Sequence, residues 1–145
     1  MQVRFLLRAP NVLRSRTAQN RKTCLSADRE KLEIVIFMKL GIILQSNKPE
    51  HAWNTFRLGI TALKAGYQVE IFLMNEGSEL DTISDTKDFD IAAKVAEFKE
   101  LKGEIYACGT CLKVRGKKEN KACPVSTMSD LLKMVETSDK ILVFG

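Results

Sequence analysis

The sequence predicts an α/β fold: one doubly wound parallel sheet of about four to five strands with helices on both faces, a flavodoxin-like or Rossmann-like three-layer arrangement. Three observations predict it. Short apolar runs alternate with amphipathic helical stretches along residues 38–145. The first run, KLGIILQ, is apolar almost throughout, the pattern of a strand buried on both sides. At 145 residues the chain is long enough for one sizeable core and too short for two.

The elements follow in order. Lys39–Gln45 reads as the first strand. Ser46-Asn47-Lys48-Pro49 is a turn, with Pro49 and Glu50 suited to the first helical positions. Trp53, Phe56, Leu58, Ile60 and Leu63 give that helix its apolar residues, and Gly66 stops it. Tyr67–Met74 is a second strand, rich in β-branched and aromatic residues. Asn75–Lys87, with Glu76, Glu79, Asp81 and Asp85, reads as a solvated loop. Asp88–Leu101 is a helix whose Ile91, Val95, Phe98 and Leu101 share one side. Glu104–Cys108 is a third strand, Cys111–Arg115 a short helix, and Gly116–Ala122 a polar loop. Ser126 or Thr127 caps a last helix with Leu131, Leu132, Met134 and Val135 toward the core, and Lys140–Phe144 is a terminal strand. Right-handed crossovers joining four such strands most simply give the order second, first, third, fourth.

Residues 1–37 differ from the rest. They hold eight Lys or Arg against three acids, whereas residues 38–145 hold fifteen of each. The formal charge of +5 therefore lies in the segment ahead of Met38, and the domain has no field drawing it to nucleic acid. We expect this basic extension to lie outside the core. Its composition fits a targeting peptide, a nucleic-acid arm or an over-extended start, and Met38, opening MKLGIILQS, is the natural beginning of the domain. Cys24 falls in the extension and carries no functional weight. No run of about 18 apolar residues exists to span a membrane. With four cysteines and no secretory signal, a reducing, cytoplasmic setting is expected, where a close cysteine pair is catalytic or metal-binding more often than a staple.

Chemistry concentrates in YACGTCLKVRGKKENKAC, residues 106–123. In a doubly wound sheet ligands bind beyond the carboxyl ends of the strands, where the order reverses. With the order above, that crevice lies between the first strand, ending at Gln45-Ser46-Asn47, and the third, ending at Cys108. Cys111 falls near a helix start, where free N–H groups favour a thiolate. Lys113, Arg115, Lys117, Lys118 and Lys121 add positive potential, opposed in the run only by Glu119. Several chemistries fit these residues. Cys108, Cys111 and Cys123, with the sole histidine His51 as fourth donor, could hold zinc. Cys108-x-x-Cys111 at a strand-to-helix turn could be a thiol–disulfide oxidoreductase pair, although the doubly wound order departs from the thioredoxin fold. Two buried small residues would look the same. Phosphate-loop and dinucleotide fingerprints are absent; the turn QSNKPEH has no glycine.

Taken together, MKLGIILQSNKPEHAWNTFRLGITALKAG, ACGTCLKVRG and CPVSTMSDLLKMVETSDKILVFG resemble the DsrE/DsrF-like family of small sulfur-relay proteins. The likeness covers Met38 to Gly145, and CGTCLxxR…CPxSTMxDL…SDK is its most specific part. The resemblance implies a parallel sheet between helices and a homo-oligomer, trimer or hexamer. It also implies a cysteine persulfide at Cys108 or Cys111 that passes from a sulfur-donor protein to an acceptor; Cys123, ahead of Pro124, reads from its position either as a core residue or as a third working thiol. No metal or organic cofactor is needed for that chemistry. Gly109 and Thr110 would hold the loop so that N–H groups face the sulfur. Ser46, Asn47 and His51 would line the crevice, and Arg115 would hold an anionic donor or an acidic partner.

Overall fold

The computed structural model describes residues Met38–Gly145; the basic extension over residues 1–37, with Cys24, lies outside the described residues. Ten elements follow: β1 (Lys39–Leu44), α1 (Pro49–Lys64), β2 (Gln68–Leu73), a 3₁₀ segment (Asn75–Thr82), α2 (Ile91–Glu100), β3 (Glu104–Cys108), α3 (Gly109–Val114), β4 (Val125–Ser126), α4 (Met128–Thr137) and β5 (Lys140–Phe144).

Local chemistry sets most boundaries. Pro49 and Glu50 open α1, and the chain leaves that helix through Gly66 at φ +87°, a conformation that costs glycine nothing. α2 begins at Ile91 rather than at Asp88. Asp85 Oδ1 accepts from the backbone N–H groups of Ile91 and Ala92, at 2.7 and 3.1 Å, and Asp90 caps the N–H of Ala93 at 2.9 Å. These carboxylates satisfy the free N–H groups of the first turn, so part of the acidic loop is a capping structure. At α4, Thr127 and Asp130 form a reciprocal capping box. Ser126 instead belongs to β4 and donates its hydroxyl to Asp130 at 2.9 Å.

The sheet is parallel throughout, in the order β4-β3-β2-β1-β5. This confirms the three-layer α/β class and corrects the expected strand order. β2 lies between β1 and β3, because α1 and α2 step in the same direction over one face, where Phe56 meets Phe98 edge-on at 5.5 Å. Reversal waits for α4, which crosses the other face and returns the chain to β5 beside β1. The switch point therefore lies between β1 and β5, and no crevice separates β1 from β3. The α1/α2 face holds most of the core, including Ile42, Leu44, Phe56, Ile71, Leu73 and Phe98, all fully buried. The opposite face has a smaller cluster of Phe72, Cys108, Leu131 and Met134. Among the described residues no helix is long and apolar enough to cross a membrane.

Candidate functional site

β3 ends at Cys108, whose backbone pairs with Ser126 of the short β4. The next residue enters α3, so Cys108 serves as the cap of that helix, and its Sγ accepts from the N–H of Cys111 at 3.4 Å. Gly109 makes this turn possible: a Cβ there would meet Val125 at 2.9 Å and the carbonyl of Ser126 at 3.3 Å. A side chain at 109 would make Val125 and the Ser126 carbonyl give way, so glycine lets β3, α3 and β4 approach without that shift. Thr110 is exposed on the first turn of α3.

The two thiols have different surroundings. Cys108 is 2 % exposed and packs with Phe72, Leu131 and Met134; Cys111 is partly exposed at the margin of the same cluster. A third element reaches them. The 3₁₀ segment follows β2 directly, and the backbone N–H of Asn75 donates to Cys111 Sγ at 3.2 Å. Asn75 sits in the left-handed region at φ +48°, a conformation that asparagine tolerates better than most residues. The segment docks on the end of β1 through Met74 N–H to the Leu44 carbonyl at 2.9 Å and Gly77 N–H to the Gln45 carbonyl at 3.1 Å. Gly77 is obligatory there, since a Cβ would lie 2.3 Å from the Leu44 carbonyl oxygen.

The electrostatics correct the expected low thiol pKa. Burial and the neighbouring Cys108 raise the Cys111 thiol above its ordinary range, while the Asn75 N–H and the Arg115 charge pull the other way. Cys111 lies inside α3 rather than at its cap, and a helix of six residues has little dipole to offer. The basic run is also more neutral than it reads. Arg115 Nη1 donates to the Cys111 carbonyl at 3.2 Å and its Nε lies 3.6 Å from Glu79; Lys117 binds Asp81 at 2.9 Å. Arg115 thus ties α3 to the 3₁₀ segment, which occupies the group expected to hold an anionic donor.

The remaining sequence-predicted residues lie elsewhere. Cys123 is buried in the α1/α2-side cluster, apart from the Cys108 cluster, and burial pushes its thiol up to about 11. That placement favours the core-residue reading of Cys123 over the third working thiol. His51 lines a cavity of about 390 Å³ with Asn54, Arg57 and Phe144, beside α1 and β5. Ser46 is buried and accepts from the N–H of Lys48 at 3.1 Å, and Asn47 is exposed in the turn after β1. With β2 between β1 and β3, Asn47 in the turn and His51 in the first turn of α1 follow a strand that is not next to β3, so the crevice they were to line does not form. The zinc arrangement is likewise not assembled: no three His, Cys, Asp or Glu groups gather as metal donors among the described residues.

Sequence reasoning missed Asn75, Ser78 and Asn120. The usable signal was Asn75-Glu76-Gly77-Ser78 directly after a strand, since asparagine and glycine there mark a tight backbone turn.

Fold and site define a class: a small parallel α/β protein that presents a cysteine pair at the end of its third strand. Residues 38–144 match the DsrE/DsrF-like family, and the chain belongs to it. Two archaeal relatives share 32 % identity: the uncharacterised protein MK0008 of Methanopyrus kandleri, over 105 residues (66 % of this chain and 83 % of that protein), and MJ0989 of Methanocaldococcus jannaschii, over 102 residues (66 % and 88 %). Among solved structures, YchN of E. coli superposes with a TM-score of 0.67 at 19 % identity, covering 74 % of this chain and all of that one. BT1422 of Bacteroides thetaiotaomicron, a conserved protein of unknown function, gives 0.59 at 19 %, covering 73 % and 94 %. At that identity the superpositions concern the fold.

Proposed function

We propose that this protein is a sulfur carrier in which Cys111 accepts a sulfane sulfur and Cys108 stands behind it as the resolving thiol. Family membership supports the class of chemistry. The observation that carries the assignment is the asymmetry of the pair: Cys111 is open and has an N–H donor on its sulfur, while Cys108 is sealed. In the loading step the Cys111 thiolate attacks the terminal sulfur of a donor persulfide. The donor's S–S bond breaks, a new S–S bond forms at Cys111, and the donor leaves as a thiolate. Delivery to an acceptor thiolate is the reverse exchange, with Cys111 as leaving group. Attack by Cys108 on the inner sulfur would expel hydrosulfide and leave a Cys108–Cys111 disulfide. A raised thiol pKa leaves little free thiolate at neutral pH, which suits a carrier loaded by a partner more than a fast catalyst.

The test is intact and peptide mass after incubation with a small-molecule persulfide donor. Located on the peptide spanning residues 108–111, Cys108→Ser should gain about 32 Da, one sulfur; wild type should gain the same or, once Cys108 has resolved it, lose about 2 Da as a disulfide; and Cys111→Ser should gain none there. Absence of an adduct on Cys108→Ser, or an undiminished adduct on that peptide of Cys111→Ser, overturns the assignment.

A specific observation also favours a homo-oligomer as the working form. β5 contains no fully buried residue although its sequence is KILVF, and Leu142 and Val143 are exposed on it. Met128, Leu132 and Val135, spaced along one flank of α4, are exposed as well.

A further inference from the structure

We infer that Ser78 and Asn120, two buried polar residues distant in sequence, are positioning residues for the Cys111 sulfur, acting through the backbone of Asn75. The inference deepens the carrier reading and rests on Cys111 being its working thiol.

Ser78 is fully buried, and its hydroxyl donates to the Asn75 carbonyl at 2.7 Å. Asn120, 6 % exposed in the loop after α3, donates its Nδ2 to the Ser78 carbonyl at 2.8 Å, while its Oδ1 accepts from the N–H of Ala122 at 2.7 Å. Asn75 is held from a third side by its own Nδ2, which reaches Gln45 Oε1 at 3.3 Å. The chain of contacts therefore runs from the loop after α3, through Ser78, to Asn75, whose N–H touches the Cys111 sulfur. Burying a hydroxyl and an amide is unfavourable unless each finds a partner, and here both do. Packing alone would be met by alanine at 78. What the hydroxyl adds is a fixed carbonyl on Asn75, and with it a fixed left-handed backbone at φ +48°.

The consequence is electrostatic. Cys111 Sγ carries negative charge twice in the carrier cycle, as attacking thiolate during loading and as departing thiolate during delivery. A donor already aimed at that atom stabilises both without reorganising. It opposes the burial and the Cys108 contact that raise the thiol. The donor is a backbone group, so side chain 75 matters through the backbone shape it permits and through its one contact with Gln45.

The experiment measures the pH dependence of iodoacetamide labelling at Cys111 in the full chain, read on the Cys111-containing peptide with no persulfide present. Labelling of Cys123, protected in the core, reports folding in the same sample. Losing a hydrogen bond to a charged sulfur corresponds to about a tenfold change, so Ser78→Ala and Asn120→Ala should each raise the Cys111 midpoint by about one pH unit with Cys123 still protected. Asn75→Gly keeps the N–H and the left-handed backbone and loses only the Gln45 contact, so it should label closer to wild type than to Ser78→Ala, whereas Asn75→Val should shift as Ser78→Ala does. The inference is overturned if both alanine variants retain the wild-type midpoint with Cys123 protected. It is equally overturned if Asn75→Gly shifts as far as Asn75→Val. If Ser78→Ala or Asn120→Ala unfolds, the glycine–valine pair decides. Because no sulfur is transferred in this assay, its failure and the failure of persulfide loading are separate results.

Discussion

The two faces of the sheet are built differently. Over one face α1 and α2 lie side by side and seal a core in which Phe56, Ile42, Leu44, Ile71 and Phe98 have no solvent contact. Over the other, α4 covers the sheet alone, and only Phe72, Cys108, Leu131 and Met134 are buried in its cluster. The cysteines divide the same way. Cys123 is a small core residue on the sealed face, and Cys108 with Cys111 belongs to the thinner one. Stability is concentrated where two helices pack, which leaves the α4 side free to carry reactive and apolar groups that a core would have hidden.

The largest expected effect breaks the sealed face. Phe98 meets Phe56 edge-on and is fully buried, so Phe98→Ala should cost about 3–5 kcal/mol, the range for removing a core aromatic. Denaturant unfolding measures it. Cys111 labelling of the fraction that remains folded should keep its wild-type pH midpoint, because Phe98 and the cysteine pair belong to different buried clusters. A shifted midpoint would show that the faces are coupled and that the division drawn above is too sharp.

A smaller effect tests the open face. Leu132 lies on the exposed flank of α4, 57 % accessible. Leu132→Glu should change the folding free energy by no more than about 0.5 kcal/mol, as for other surface positions. If this face joins copies of the chain, the same substitution should lower the particle mass in sedimentation equilibrium. A wild-type protein that sediments as a monomer would refute association through this face.

How far the sequence could be read follows the same contrast. β3 and β5 were legible to the residue, because Glu104–Cys108 and Lys140–Phe144 are short apolar runs between clear breakers. The start of α1 was legible from Pro49, and the cap of α4 was narrowed to Ser126 or Thr127, of which the structure uses Thr127. These are local signals. Strand order was not legible, since second-first-third-fourth and third-second-first-fourth use the same elements and differ only in which side each crossover takes. The start of α2 was misplaced because Asp85 and Asp90 cap from a stretch whose composition resembles a solvated loop. The cysteine pair was legible as a motif. Its surroundings were not, because Ser78 and Asn120 each reach a backbone carbonyl, the latter from forty-two residues away, and an accepting carbonyl leaves no compositional trace. The positive potential failed for a related reason: Arg115 and Lys117 find Glu79 and Asp81 on an element remote in sequence.

The smallest effect concerns the seam between α1 and α2. Glu97 of α2 accepts from Lys64 of α1 at 2.7 Å and from Lys94 at 2.8 Å, and these two contacts hold its carboxyl down at about 2, from an ordinary value of 4.5. A carboxyl whose folded pKa is depressed adds stability that is fully present above its unfolded pKa and is lost as pH falls through the folded one. The Glu97 contribution is therefore complete above about pH 4.5 and fades toward about pH 2. Both lysines reach solvent, so the effect is a modest one, screened by salt. Thermal unfolding of wild type and Glu97→Gln, compared at low ionic strength, should show a gap in melting temperature near neutral pH that closes under acid. A gap that is constant across that window would mean that Glu97 joins the helices by packing and geometry rather than by charge, and the sealed face would then owe its cohesion to its apolar contacts alone.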